Sequence, residues 1–114
     1  MTIDFSVSTR FEGTWAILDV VGEVDVFTAP KLREQIVQLS DQGHNQVVAN
    51  LEGVTFLEST GLGVLVGGLK RLKEHDGTLA LVCTNRPVLR VLSITGLDSV
   101  FPVHGSVAQA TTSG

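Results

Sequence analysis

Residues 54–69 read VTFLESTGLGVLVGGL, and the rest of the chain is organised around this stretch. It begins as an apolar run, breaks at the three polar residues 58–60 and resumes with apolar residues at helical spacing. Those residues recur at i, i+3, i+4, i+7 and i+10, and they are Leu62, Leu65, Val66, Leu69 and Leu72. Because this spacing places apolar side chains on one face, the stretch predicts a helix that packs against a core.

The start of this helix carries two hydroxyl side chains and several glycines. Ser59 and Thr60 lie where an N-cap belongs, so we predict that their hydroxyls accept hydrogen bonds from backbone N–H groups of the first turn. A glycine inside a helix costs about 1 kcal/mol relative to Ala. The helix contains four, which predicts that a neighbouring element or a partner approaches closely: Gly61, Gly63, Gly67 and Gly68. A small hydroxyl at the positive end of a helix is also a suitable place to hold a phosphate.

The composition indicates one domain over residues 1–114, with a frayed tail at 110–114. Hydrophobic residues make up 43% of the chain and aromatic residues 5%, so the core is mostly aliphatic. A net charge of −4 without a basic cluster argues against a nucleic-acid-binding surface. No apolar run reaches the roughly 18 residues of a membrane span, and the N-terminus lacks the pattern of a signal peptide. We therefore expect a soluble cytoplasmic protein that binds neither nucleic acid nor membrane.

Apolar patterns and turn residues predict alternating strands and helices. Strands are expected at 3–11, 15–21, 46–51, 78–83 and 100–103, and further helices begin near Thr28, Asn85 and Ser106. Turns are expected at 12–13, which makes the first two strands an antiparallel hairpin, and at 52–53. The third helix is expected to pack through Val88, Leu89, Val91, Leu92 and Ile94. Because crossovers are right-handed, the pattern predicts an α/β fold: a mixed, mainly parallel sheet of four to five strands that starts with a hairpin, with about four helices packed on it.

The common catalytic and ligand-binding motifs are incomplete in this sequence. Gly61-x-Gly63 opens a helix, but the third glycine of a dinucleotide fingerprint would fall at Val66. Ser59 does not lie in Gly-x-Ser-x-Gly, and no histidine has a cysteine or carboxylate at metal-ligand spacing. Cys83 lies in an apolar segment and is expected to be a buried thiol. We therefore predict no catalytic residue, metal or cofactor, and Ser59 is either a helix cap or a regulated or reactive hydroxyl.

Three segments together resemble the STAS domain family, and more closely its single-domain bacterial anti-sigma factor antagonists. They are Gly22-Glu23-Val24-Asp25 with Thr28-Ala29, then Val54-x-Phe56-Leu57-Glu58-Ser59-Thr60-Gly61-Leu62-Gly63, and finally Ile94-Thr95-Gly96-Leu97 with Val100-Phe101. The resemblance extends from about residue 3 to about residue 110 and implies the STAS fold for that range.

The resemblance also implies a mechanism. In this family the serine that follows the acidic residue of the central motif is phosphorylated by the partner anti-sigma factor, a serine protein kinase, and the matching residue here is Ser59. Unphosphorylated, such a domain binds the anti-sigma factor and frees a sigma factor for transcription; phosphorylation releases it, and a phosphoserine phosphatase resets it. Asp25 matches an acidic residue close to that serine. Two positions depart from the family pattern: Glu58 stands where Asp is common, and Asn50 where the third strand often ends in Asp.

The expected switch or partner-binding surface surrounds Ser59. It comprises Asp25, Glu58, Thr60, Gly61, Gly63 and Val64. Within it, the glycines inside the helix and an outward-facing Val64 would form a low-relief apolar patch around the helix start. The chain is expected to be a substrate and not an enzyme, and to be monomeric when free. Two other functions stay open: a nucleotide- or small-ligand-binding module, and a scaffold subunit of a stress-sensing complex in which Ser59 serves only as a cap.

Overall fold

A computed structural model describes residues 5–112 and arranges them as five strands and four α-helices around one sheet. A turn of 3₁₀-helix spans Leu97–Ser99. In chain order the elements are β1 (Ser6–Glu12), β2 (Trp15–Val24), α1 (Ala29–Asp41), β3 (Gln46–Leu57), α2 (Ser59–Lys73), β4 (Thr78–Val82), α3 (Arg86–Ile94), β5 (Val103–His104) and α4 (Val107–Thr112). Ile3, where the first strand was expected to begin, lies outside the described residues.

The strands lie in the order β1-β2-β3-β4-β5. β1 is antiparallel to β2, with Glu12 opposite Trp15 at the hairpin end, and every other neighbouring pair is parallel. The predicted α/β class, with a mixed, mainly parallel sheet that starts with a hairpin, is therefore confirmed. Right-handed crossovers place α1, α2 and α3 against one face of this sheet.

The two faces of the sheet are covered unequally. Along β2, Ala16 and Leu18 face the larger core, which contains the inner residues of α1, α2 and α3. Trp15 and Ile17 face the other side and pack against Ala110 of α4. Ala110 is 1% exposed in this second cluster, and α4 continues to Thr112. Residues 113 and 114 of the expected tail lie outside the described residues.

Strand β3 is longer than the sequence predicted, since it continues to Leu57 and does not end at Leu51. The expected turn at Glu52-Gly53 is wrong: the chain bulges there, and the register with β2 shifts twice along this part of the ladder. A Cβ on Gly53 would lie 3.0 Å from Val21 Cγ2, so glycine lets the bulge approach β2 closely. Pairing with β2 on both sides of the bulge overrides the local turn signal and carries the chain straight to Ser59.

The family resemblance suggested that Asn50 marks the end of the third strand. Asn50 instead lies inside β3. Its Nδ2 donates to Asp19 Oδ1 at 2.8 Å, and Arg10 Nε donates to Asp19 Oδ2 at 2.6 Å. The Arg10 hydrogen bond lowers the pKa of Asp19 below its usual value. This network joins β1, β2 and β3 on the face that α4 partly covers, so Asn50 stabilises the sheet.

Two predictions about the last third of the chain are wrong. Ile94 was expected to pack α3 against the core but is 77% exposed, because it lies about 200° around the helix from the buried Leu92. The last strand was expected at 100–103 but forms only at Val103–His104. Residues just before it complete the 3₁₀ turn instead, with the N–H groups of Val100 and Phe101 both donating to the Leu97 carbonyl.

Candidate functional site

The predicted site residues come from two segments that meet at the carboxyl edge of the sheet. β2 ends at Val24 and β3 at Leu57, and these two residues are partners in the parallel ladder. The next backbone N–H group, that of Glu58, donates to the Val24 carbonyl at 2.9 Å. Asp25 and Ser59 therefore follow neighbouring strands at the edge where ligand sites of open α/β sheets are found.

Glu58 is the N-cap residue of α2. Its backbone is extended, with φ −84° and ψ 169°, and its carbonyl accepts from the Leu62 N–H group at 3.1 Å. Ser59 and Thr60 are the first two helical residues, and no side chain caps the helix. The prediction that these two hydroxyls act as caps is therefore wrong, because β3 passes into α2 through one residue, Glu58. The Thr60 hydroxyl instead lies 3.5 Å from Glu58 Oε1.

The Ser59 hydroxyl is exposed and makes no hydrogen bond within residues 5–112. It lies at the positive end of a 15-residue helix whose first N–H groups receive no side-chain acceptor. A phosphate attached here would meet free backbone donors and would displace no existing hydrogen bond of the side chain.

Two of the α2 glycines are required by packing within the domain. A Cβ on Gly61 would lie 2.6 Å from Val24 Cγ1 and 2.7 Å from Leu57 Cδ1, which is too close for a real side chain. A Cβ on Gly68 would lie 3.1 Å from Ile36 Cδ1 of α1. These glycines let α2 approach the strand ends and α1, so the prediction of close approach is confirmed for both.

Gly63 and Gly67 have a different environment. Both are exposed, and a Cβ on either one would meet no atom within 4 Å outside the local helix backbone. The isolated domain therefore has no packing reason for either glycine, although each costs about 1 kcal/mol of helix stability. Val64, expected to face outward, is half-buried and packs against the edge of the core. The surface near the helix start is thus a strip of bare backbone beside a half-buried valine.

Asp25 organises the loop between β2 and α1. Its Oδ1 accepts from the backbone N–H groups of Phe27 at 2.9 Å and Thr28 at 3.0 Å. The Thr28 hydroxyl accepts from the Asp25 N–H at 2.9 Å and donates to the Glu23 carbonyl at 2.8 Å. Thr28 holds the N-cap position of α1, as predicted, but its side chain bonds back into the loop and does not cap the helix.

We expect Asp25→Asn to be less stable than the parent protein at neutral pH and equally stable in acid. The N–H group of Thr28, followed by that of Phe27, lowers the pKa of Asp25. A carboxyl group with a lowered folded-state pKa contributes stability above its unfolded pKa of about 3.9, and that stability is lost as pH falls through the folded value. Asn keeps an oxygen acceptor but not the charge. Melting temperatures from about pH 7 to about pH 2 test this; a difference between the proteins that stays constant at low pH would contradict it.

The model of the STAS domain family matches residues 6–110. The chain belongs to the STAS domain family. An anti-sigma-B factor antagonist of Bacillus subtilis is 38% identical over 86 residues, which are 75% of this chain and 78% of the relative. An anti-sigma-B factor antagonist of Staphylococcus aureus is 32% identical over 102 residues, which are 90% of this chain and 94% of the relative. The crystal structure of an anti-sigma factor antagonist from Mycobacterium paratuberculosis has a TM-score of 0.90 at 26% identity, covering 99% of this chain and 97% of that one.

Three exposed apolar side chains that were not among the expected switch residues lie near the Ser59 edge of this STAS domain. Val26 and Phe27, in the Asp25 loop, are 55% and 83% exposed, and Phe56 of β3 is 48% exposed. The sequence signal for two of them was that Val26 and Phe27 are apolar yet lie in a loop between a strand and a helix. Apolar residues in such a loop do not pack into the core. Together they give the edge an apolar rim of the kind found at protein-binding surfaces.

Within residues 5–112, this STAS domain contains no group of three or more His, Cys, Asp or Glu side chains that could hold a metal ion. No helix in that range is long and apolar enough to cross a bilayer.

Cys83 is a buried free thiol, as predicted, and burial raises its pKa. Its Sγ lies 2.9 Å from Asn85 Oδ1, and Asn85 Nδ2 donates to the Val54 carbonyl, so this part of the fold holds the start of α3 against β3.

Proposed function

We propose that this STAS domain is an anti-sigma factor antagonist that works by partner switching. With Ser59 unmodified it binds an anti-sigma factor and frees a sigma factor for transcription; phosphorylation of Ser59 releases it. The observation that carries the proposal is the Ser59 hydroxyl, which is exposed, unbonded within residues 5–112 and first in α2. The names of the Bacillus subtilis and Staphylococcus aureus relatives support the same role.

The fold can accept a phosphate on Ser59. Phosphorylation adds a charge of about −1.5 to −2 at pH 7 and three acceptor oxygens. At the N-terminus of α2 those oxygens meet free N–H groups and the positive end of the helix dipole, which favours an anion. The modified and unmodified forms should therefore share one fold.

A bound partner would respond differently. Glu58 precedes Ser59, and Asp25 follows the neighbouring strand, so a phosphate adds negative charge to an edge that is already acidic. A partner that packs against a small neutral hydroxyl and against exposed Phe27 would have to desolvate this charge or lie beside it without a counter-ion. Burying an unpaired charge costs several kcal/mol, which is enough to release the partner.

In this mechanism the chain is a substrate and a switch, and it catalyses no step. The anti-sigma factor supplies serine kinase activity, and a separate phosphoserine phosphatase removes the phosphate. Asp25 acts as a positioning residue, because its hydrogen bonds hold the loop that presents Val26 and Phe27 beside Ser59. Since a sigma factor acts on RNA polymerase in the cytoplasm, we expect the free domain to be cytoplasmic. We also expect it to be a monomer until it binds the anti-sigma factor.

A phosphorylation assay tests the proposal. Each candidate anti-sigma factor kinase of the source genome is purified and incubated with ATP and the intact chain, and the product is analysed by intact mass and peptide mapping. We expect one kinase to add a single phosphate to Ser59, to add none to Ser59→Ala, and to modify Thr60→Ala normally. Phosphate on Thr60, or failure of every kinase to bind or modify the chain, would contradict the switch and would favour a ligand-binding module or a scaffold subunit.

A further inference from the structure

A groove of about 290 Å³ runs between α1 and α2. It begins at Thr60, the residue after Ser59, and extends about 16 Å along α2 to Arg71. Val37 and Arg33 of α1 line one wall, and Gly63 and Gly67 lie on the other. The groove is therefore continuous with the Ser59 edge but reaches well beyond it.

The two exposed glycines give the groove its shape. Where α1 and α2 touch, Gly68 fits against Ile36, and that contact explains the absence of a side chain there. At Gly63 and Gly67 the space above the backbone is open, so these glycines leave room for a group of another molecule. A side chain from another molecule could reach the α2 backbone directly at these positions.

The charged residues that line the groove are both arginines, Arg33 and Arg71, although the chain has a net charge of −4. None of its lining residues carries a carboxylate. Arg33 is exposed and makes no ion pair within residues 5–112. Arg71 Nη2 pairs with Asp41 Oδ1 at 3.1 Å, but its Nε is buried and donates to no acceptor in the described part of the chain. Arg33 therefore gives the groove an exposed guanidinium group that no carboxylate of the described residues pairs with.

We propose that the α1–α2 groove binds an acidic segment of the anti-sigma factor. A carboxylate of that segment pairs with Arg33, next to the Arg71–Asp41 ion pair, and a neighbouring apolar side chain packs against Val37 and the bare backbone at Gly63 and Gly67. Charge complementarity selects an acidic occupant, and continuity with the Ser59 edge at Thr60 selects a segment of the same partner. This inference rests on the proposed function and names the chemistry by which the partner is recognised away from the switch residue.

The test compares four proteins by calorimetry against the purified kinase that modifies Ser59: the parent chain, Arg33→Glu, Gly67→Leu and the control Lys31→Glu. Lys31 lies on the same helix but lines a different hollow, beside Phe5 and Val7, so its substitution reverses the same charge outside the groove. We expect Arg33→Glu and Gly67→Leu to weaken binding at least about tenfold and Lys31→Glu less than about twofold. Melting temperatures should show that all four fold, since position 67 has open space for a side chain.

The possible outcomes separate the two proposals. If Arg33→Glu and Gly67→Leu bind as tightly as the parent chain while Ser59→Asp does not, the groove proposal is wrong and the switch stands. If the parent chain binds no candidate kinase, the proposed function fails first. Finally, if ATP, GTP or glutamate alone shifts the amide NMR signals of Gly63 and Gly67 and Arg33→Glu abolishes that shift, the groove is a small-anion site and the proposed protein segment is overturned.

Discussion

Replacing Ser59 with Asp should lower the affinity for the anti-sigma factor by about a hundredfold or more, whereas Ser59→Ala should bind normally and resist phosphorylation. A carboxylate at this position brings an unpaired charge into the interface, and burying such a charge costs several kcal/mol. Every 1.4 kcal/mol corresponds to about tenfold in Kd. Asp carries less charge than phosphate, so true phosphorylation should weaken binding further.

Neither substitution should disturb the fold. Asp in the first turn of α2 gains about 0.3–1 kcal/mol from the helix dipole. Ala at position 59 loses no cap, because the Ser59 hydroxyl makes no hydrogen bond in the described residues and Glu58 holds the N-cap position. We therefore do not expect Ser59→Ala to lose the roughly 1 kcal/mol of stability that removal of a capping hydroxyl causes.

Calorimetric titration of the three proteins into the kinase measures this effect, with circular dichroism as the folding control. Ser93→Asp is a matched control, since it adds the same charge at an exposed serine of α3. We expect it to bind like the parent chain. Equal affinity of the parent, Ser59→Ala and Ser59→Asp would place Ser59 outside the interface and would contradict the switch.

Gly77→Ala should cause the largest loss of stability, with the free energy of unfolding falling by about 3 kcal/mol. Gly77 joins α2 to β4, and its N–H group donates to the Leu72 carbonyl at 2.8 Å. An added Cβ would overlap the backbone carbonyl oxygen of Asn45, which accepts the Thr78 N–H at 2.9 Å as the chain enters β4. Because backbone atoms cannot rotate away as a side chain can, the clash must distort the connection or break this hydrogen bond.

Gly67→Ala, by contrast, should raise the free energy of unfolding. Its Cβ would meet no atom within 4 Å, so the gain in helix propensity of about 1 kcal/mol is not opposed by a clash. For a domain of this size 1 kcal/mol corresponds to about 4 °C in Tm, so Gly77→Ala should melt about 12 °C lower and Gly67→Ala about 4 °C higher. Thermal unfolding of both variants checks this. A loss of stability in Gly67→Ala would show that the free fold requires that glycine, which would remove one support for the groove.

The sequence alone determined the type and order of the main elements, because these depend on local periodicity. Leu62, Leu65, Leu69 and Leu72 recur at the period of a helix, and each is buried in α2. The Glu12-Gly13 turn predicted the hairpin, and the alternation of strands and helices then required a mainly parallel sheet. The family resemblance directed attention to Ser59, and membership of the STAS domain family is confirmed.

The tertiary structure decided which local signals prevailed. Glu52-Gly53 reads as a turn, yet pairing with β2 makes it a bulge within β3, since a continuous ladder satisfies more backbone groups than an isolated turn. That extension sets the start of α2 at Ser59 and leaves the hydroxyl unbonded, where the sequence predicted a cap.

The four glycines of α2 show the same division. They look alike in the sequence, but their environments differ. Gly61 and Gly68 meet side chains of β2, β3 and α1. Gly63 and Gly67 face open space in the groove that Arg33 and Arg71 line. The charged groove between α1 and α2 was invisible in the sequence for this reason. Its walls come from residues about 30 positions apart, and only the packing of one helix against the other brings them together.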